Sequence, residues 1–364
     1  GVMMNHSVIP ANAGIQTFLG KLGWCAAMDS RLRGNDVWGG AVAALQVLLG
    51  LFLLLCFSQV NAQTDFPNRP IKLVVGFAAG GSSDTVARIM APRMGQALGQ
   101  SIVIENKAGA GGNLASDFLV KSPADGYTIM LGTIGSLAVN PHLAKLAYNP
   151  VTDMTALSLC VTFSNVLVVA TNSPIKSLDD YVKASRQANS SMAFGSSGIG
   201  SSGHLAGELL NGAAGLKNQH IAYRGGAPAM NDVIGGQIAA NIAVVSNALP
   251  HIQSGKLRAL AVTGTTRSTV LPQVPTMQEL GFTNVKTSEW FGVFLPSKTP
   301  ADVVAKLNSS VQIALKSSAL QEALLKASFD LATVTTPADT AKLLRTETEY
   351  WASLVKASGF TPED

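Results

Sequence analysis

Residues 71–98, IKLVVGFAAGGSSDTVARIMAPRMGQAL, decide how the rest of the chain is read. Residues 71–77 are β-branched or apolar almost throughout, the pattern of a strand buried on both faces. Ala78-Ala79-Gly80-Gly81-Ser82-Ser83 follows with almost no side-chain bulk. Asp84 then opens an apolar-periodic stretch (Val86, Ile89, Met90, Leu98) that predicts a helix, kinked at Pro92. A bare strand-to-helix turn leaves the first-turn N–H groups pointing outward, and with the positive end of the helix dipole they offer a place for an anion. The unit is not a nucleotide P-loop, because Ser82 stands where the phosphate-binding lysine must be. No G-x-G-x-x-G follows the strand either. The alternative to an anion cradle is a glycine turn that only packs strand on helix.

The 364 residues suffice for two domains. The formal charge of +4 is unclustered, and no basic run or basic–aromatic stripe points to nucleic acid. Cys25, Cys56 and Cys160 show neither C-x-x-C pairing nor zinc spacing. Charged residues make up only 13%, in part because of the apolar block at 37–57, VWGGAVAALQVLLGLFLLLCF. Arg31 and Arg33 precede it, and the small residues Val60 and Ala62 follow, which fits a secretory signal peptide cut after Ala62. Its length also fits an uncleaved membrane anchor. A lipoprotein at Cys56 is disfavoured by Leu55, where a small residue is expected. The words VIPANAGIQ and MDSRLRGND resemble translated intergenic repeat DNA, which would put the true start at Met28 or later. Residues 1–62 are therefore set apart. Residues 63–364 carry 23 basic and 20 acidic side chains and one cysteine, Cys160, so no intrachain disulfide is expected.

Along this portion, strand–loop–helix units recur. Strands are expected at 71–77, 101–105 and 127–131, each leading into a Gly- or Ser-rich turn, and three such units predict a parallel sheet covered on both faces. Strands at 157–161 and 166–171 carry a first crossing into a second domain. There the pattern repeats: strands at 192–195, 219–223, 238–245 and 257–263, with helices between them. A return crossing falls near 283–289, and 290–295 reads as a strand. The amphipathic stretches 300–317, 319–326 and 337–358 are expected to cover the first domain. These crossings give lobe 1 as 63–163 with 286–364 and lobe 2 as 164–285, hinged between.

Ligands of open α/β sheets sit beyond the carboxyl ends of the strands. Four loops meet that description: 78–84, 132–136, 195–204 and 223–228. They offer the hydroxyls of Ser82, Ser83, Thr133, Ser136, Ser196, Ser197, Ser201, Ser202 and Tyr223, several helix N-termini, and one cation, Arg224. Neutral donors lining a cleft suit a small carboxylate, which they hold and can release. Enzyme readings fare poorly. No G-x-S-x-G elbow exists, and the histidines are scattered. His204 and Glu208 have the i, i+4 spacing of metal ligands, but a helix-face link explains it as well, so no metal and no cofactor is expected. Asp84 is either a general base or a charge favouring its helix N-terminus.

The segments FPNRPIKLVVGFAAGGSSDTVAR, ENKAGAGGNLASDFLVKSPADGYTIMLGT, GSSGIGSSGHLAGELL, YRGGAPAMNDVIGGQ and ALPHIQSGKLRALAVT, in this order, resemble the tripartite tricarboxylate transporter receptor family, also called Bug proteins. The resemblance spans 66–359. It implies a periplasmic-binding-protein-like (type II) α/β fold whose two lobes, joined by a two-crossover hinge, close over a small organic acid. It also implies a monomeric periplasmic receptor that delivers a di- or tricarboxylate or an aromatic acid to membrane transporter subunits, without catalysis. Carried over, the family's ligand loops give Ala79, Gly80, Gly81, Ser82, Ser83 and Asp84; Thr133 and Ser136; Ser196, Ser197, Gly198, Ser201 and His204; and Tyr223, Gly225 and Ala227. Two departures stand out. Ala78 and Ala79 replace prolines usual before the Gly pair, which loosens that loop. Ala239 and Ala243 stand where aspartates are common, which weighs against an amino-acid ligand. A ligand-sensing module and an exported hydrolase or lyase using His204 or Asp84 are the competing functions.

Overall fold

A computed structural model describes residues 66–187, 190–287 and 289–358. The apolar block at 37–57, the expected cut after Ala62, Cys25 and Cys56 all lie outside these residues. Among those described, no helix is long and apolar enough to cross a membrane.

The chain builds two α/β lobes, each around its own sheet. Lobe 1 begins with strand β1 (Ile71–Val75) and helix α1 (Ser82–Leu98), which continues through Pro92 as one helix. Strand β2 (Ile102–Asn106), helix α2 (Asn113–Val120) and strand β3 (Thr128–Thr133) follow, then a short π-helical turn, Gly135–Val139. Strand β4 (Met154–Phe163) ends this first pass. Lobe 2 holds β5 (Asn165–Ala170), α3 (Leu178–Ser185), β6 (Ala193–Ser196), α4 (Ser202–Ala214), β7 (Gln219–Ala222) and α5 (Gly226–Ile234). Strand β8 (Ala240–Val244), helix α6 (Val245–Gln253) and strand β9 (Leu257–Val262) complete it. The chain then returns to lobe 1 through β10 (Glu289–Pro296), α7 (Ala301–Leu315), α8 (Ser318–Lys326), β11 (Asp330–Leu331) and α9 (Pro337–Ser358).

The lobe 1 sheet has the order β11-β4-β10-β3-β1-β2 and the lobe 2 sheet β7-β6-β8-β5-β9. The β1 strand, IKLVV, sits between β2 and β3 in parallel register, and four of its five residues are buried. Its apolar run is what a strand covered on both faces requires. The sheets are mixed, however, not purely parallel. β10 runs antiparallel to β3 and β4, and β5 runs antiparallel to β8 and β9. The reason lies in the two crossings. β4 leaves lobe 1 at the hinge, so the strand that comes back must enter from that same end and run the other way. β5 is its counterpart in lobe 2.

The hinge is tied by side chains. The Asn165 N–H donates to the Thr263 hydroxyl (3.0 Å), and the Thr287 hydroxyl donates to the same oxygen (2.9 Å). Helices α7 and α8 pack on α1, while α9 covers β4 on the opposite face. Lobe 1 thus has two apolar layers, one around Leu73, Met90, Val293 and Leu307 and one around Met130, Trp290, Phe294 and Trp351.

Candidate functional site

Three helices begin at the cleft without a side-chain cap: α1 after Gly81, α5 after Gly225 and α6 after Val244. Ser82, Ser83 and Gly226 at the starts of α1 and α5 are buried, while at the start of α6 the Val245 N–H already donates to the Ser164 carbonyl (3.2 Å). A buried helix start that lacks a cap holds unpaired N–H donors together with the positive end of the dipole. α1 belongs to lobe 1, α5 and α6 to lobe 2, so the donors converge from both sides.

A cavity of about 30 Å³ lies between them, roughly the room for one or two waters, so anything larger enters only when the lobes part. Gly81, Ser82, Ser83 and Thr133 line it from lobe 1, and Ser197, Ser201 and Ser202 from lobe 2. Its apolar walls are Phe77, Ile134, Phe163, Val244 and Phe291, with Phe163 and Phe291 in ring contact at 4.4 Å. Gly135, Gly226, Asn247 and Glu289 complete the lining.

The other residues expected at the site surround it without lining the cavity. Ala79 and Gly80 are exposed on the outer bend. Asp84 stands behind the turn and not in the cavity wall. Its carboxylate accepts the Gly80 N–H (2.9 Å), Arg88 Nε (2.8 Å) and Nη2 (3.1 Å), and Asn106 Nδ2 (3.0 Å). Burial alone would raise its pKa, but Arg88, Gly80 and Asn106 outweigh burial and hold it below the usual carboxylate range. It clamps the turn. Ser136 sits behind Thr133, its N–H donating to the threonine hydroxyl at 3.2 Å. The Tyr223 hydroxyl donates to Asp232 at 2.6 Å, Ala227 is exposed, and Gly225 packs against Ala78 of the other lobe. Arg224 is exposed and outside the lining, so the lining contains no cation among the described residues.

Ser196, Gly198 and His204 belong to a network that braces the lobe 2 turn. Ser196 Oγ donates to the Gly198 carbonyl (3.0 Å), accepts the Gly198 N–H (3.1 Å) and lies 2.6 Å from His220 Nε2. Ser201 Oγ donates to Ser196 Oγ at 3.1 Å and also caps α4. His204 Nδ1 accepts the Gly200 N–H at 2.9 Å, and its ring stacks on His220 with centroids 3.9 Å apart. Burial pushes His204 down to about 4. Burial together with His204 pushes His220 down to about 3. Both rings are therefore neutral at neutral pH.

The braced turn docks on lobe 1 through bare backbone. A Cβ added at Gly135 would fall on the Gly200 carbonyl oxygen, and one at Gly111 on that of Ile199. No residue but glycine permits that approach.

Sequence reasoning missed Glu289 and the apolar walls. A signal was present, however: strands that start or stop at a hinge present their last residues to the cleft, and Phe163, Glu289 and Phe291 are those residues.

The sequence model of the tripartite tricarboxylate transporter family receptor matches residues 86–360. The chain belongs to this receptor family. Protein BugT of Bordetella pertussis is 36% identical over 319 residues, covering 86% of this chain and 97% of BugT. A UPF0065 protein from the tcbD–tcbE intergenic region of Pseudomonas sp. strain P51 is 35% identical over 85% of this chain and 93% of its own length. Among solved structures, the periplasmic binding protein BugD is 33% identical with a TM-score of 0.79, covering 82% of this chain and all of BugD. MatC from Rhodopseudomonas palustris with bound malate is 32% identical (TM-score 0.77), over 80% of this receptor and all of MatC. An R. palustris protein with adipate is 33% identical (TM-score 0.78), over 82% and 100%. The likeness drawn from the five motifs is borne out, and so is the two-lobed periplasmic-binding-protein fold.

Proposed function

We propose that this receptor works in the periplasm, where it captures a small organic carboxylate between its lobes and hands it intact to the membrane subunits of a transporter. The observation that carries the reading is the convergence of uncapped, buried helix starts from both lobes on one hydroxyl-lined cavity. An anion there accepts hydrogen bonds from both halves at once, so it favours the closed form and stores no covalent bond that would hinder release. Malate in MatC and adipate in its R. palustris relative support the carboxylate class. The Ser196–His220 pair has the separation of a nucleophile and base, yet Ser196 is fully buried and outside the cavity lining. Its hydroxyl is also held by the Gly198 carbonyl and N–H and by Ser201 Oγ, which argues for bracing and not for attack.

The reading is tested by thermal unfolding of the purified protein against a panel of mono-, di- and tricarboxylates, aromatic acids and amino acids. A ligand at about a hundred times its Kd adds roughly 2.7 kcal/mol, a readily visible rise in Tm. The bound acid is expected back chemically unchanged after long incubation. A panel without any stabilising acid, or turnover of the acid, would contradict the proposal.

A further inference from the structure

Among the described residues, Glu289 is the one ionisable side chain that lines the cavity. It opens β10 at the hinge, fully buried, and neither of its oxygens has a hydrogen-bond partner. The Thr287 hydroxyl lies near enough to favour the ionised carboxylate, but its proton is directed to Thr263. An ionised carboxyl in the wall of a carboxylate-binding cleft repels its cargo, and a protonated one offers it a single O–H. What the site lacks is defined by what it already has. Neither Glu289 oxygen has a partner, whereas the cavity's other polar groups (the helix N–H groups and the hydroxyls of Ser82, Ser83, Thr133 and Ser197) already supply donors for an anion.

We infer that Glu289 is the specificity-determining residue of the cleft, pairing with the ammonium of a ligand whose carboxylate lies on the helix starts, so that the receptor selects amino acids over plain carboxylic acids. This rests on the proposed carboxylate-receptor function and narrows it. An ammonium brings up to three N–H donors to two unpaired oxygens. A second ligand carboxylate would satisfy only the O–H of a protonated Glu289 and leave its carbonyl oxygen facing negative charge. Charge balance points the same way. With no cation among the described lining residues, a dicarboxylate beside a protonated Glu289 leaves two uncompensated charges, while a zwitterionic amino acid opposite an ionised Glu289 leaves one, as a plain monocarboxylate beside the protonated form does. Burial pushes the Glu289 carboxyl up to about 8, with the Thr287 hydroxyl opposing the shift and Glu347 adding to it. An arriving ammonium opposes that shift and draws off the proton. Lobe 2 contributes no carboxylate to the described lining, and Glu289 supplies one from the lobe 1 side of the hinge.

The experiment is calorimetric titration of the purified protein and of Glu289→Gln with matched pairs differing only in the amine: L-aspartate and succinate, L-glutamate and glutarate, L-valine and isovalerate. In the native protein the amino acid of at least one pair is expected to bind at least about tenfold tighter than its deaminated partner. In Glu289→Gln that preference should vanish while the deaminated acid binds as well as before or better, which a merely structural role would not produce. Preference of the native protein for the deaminated member of every pair that binds would overturn the inference and leave the carboxylate-receptor reading standing. So would a preference unchanged in Glu289→Gln. Binding of no carboxylate in either class would overturn both.

Discussion

Two glycine–serine turns face each other across the cleft, 78–83 in lobe 1 and 196–202 in lobe 2, and they spend their polar groups in opposite ways. In lobe 1 the clamp lies behind the turn. Asp84 takes the Gly80 N–H, Arg88 and Asn106, and the start of α1 at Ser82 and Ser83 is left uncapped toward the cavity. In lobe 2 the hydroxyls of Ser196 and Ser201 are spent on the turn itself and on the α4 start, with His204 and His220 stacked beneath. One turn is kept open to receive, the other is stiffened to dock. Similar composition therefore carries two jobs, and the difference lies in which neighbours absorb the donors.

The sharpest way to break this contrast is to stop the stiff turn from docking. Gly135→Val places its side chain against the Gly200 carbonyl. Overpacking of this kind costs about 1–3 kcal/mol, so titration calorimetry should show ligand affinity falling by up to about 100-fold. Thermal unfolding of the unliganded protein should change far less, because the clash exists only when the lobes meet.

Thr133→Ala removes a hydroxyl from the cavity wall. Losing one hydrogen bond to a charged group costs about 1.5–3 kcal/mol, so affinity for the ligand should drop by roughly tenfold or more. Unchanged affinity would move the anion away from the open turn.

The stiffened turn makes a pH prediction. His204 and His220 have folded-state pKa values of about 4 and about 3, against about 6.5 in an unfolded chain. Above 6.5 both states are neutral and the brace contributes in full. As pH falls below 6.5, the unfolded chain takes up protons that the folded turn refuses, and stability declines down to about 4 for His204 and about 3 for His220. Chemical denaturation at pH 7 and 4.5 should show a loss on the order of 2 kcal/mol from His204, and His204→Asn should flatten that part of the slope. An acid profile identical in native and variant proteins would remove the brace from the account.

The smallest effect belongs to Arg224→Ala. The side chain is exposed and outside the cavity, so affinity should stay within about 0.5 kcal/mol of native. A large loss would return a cation to the site.

Much of this was legible in the chain. The run Ile71–Val75 could only be a doubly covered strand, and glycine-rich turns after strands had to lie at the sheet's carboxyl edge. The mixed sheets were not legible, since strand direction is set by where a returning segment re-enters, and residues 283–289 carry no direction in their side chains. Nor could composition tell Ser196 from Ser197: one is buried in a hydrogen-bond network and its neighbour lines the cavity, a difference fixed by strand alternation and by His220, 24 residues away. Arg224 read as the binding cation because charge is visible in sequence and exposure is not. Glu289 was passed over for the converse reason, a lone acid at the head of an apolar strand whose burial only the hinge reveals.

The most direct test of the central claim is an amide NMR titration of the protein with whichever acid stabilises it. Ligand seated between the helix starts should shift the N–H resonances of Ser82 and Ser83 in lobe 1 and of Gly226 in lobe 2 together, with one shared Kd. Shifts confined to a single lobe, or absent from all three, would contradict the account.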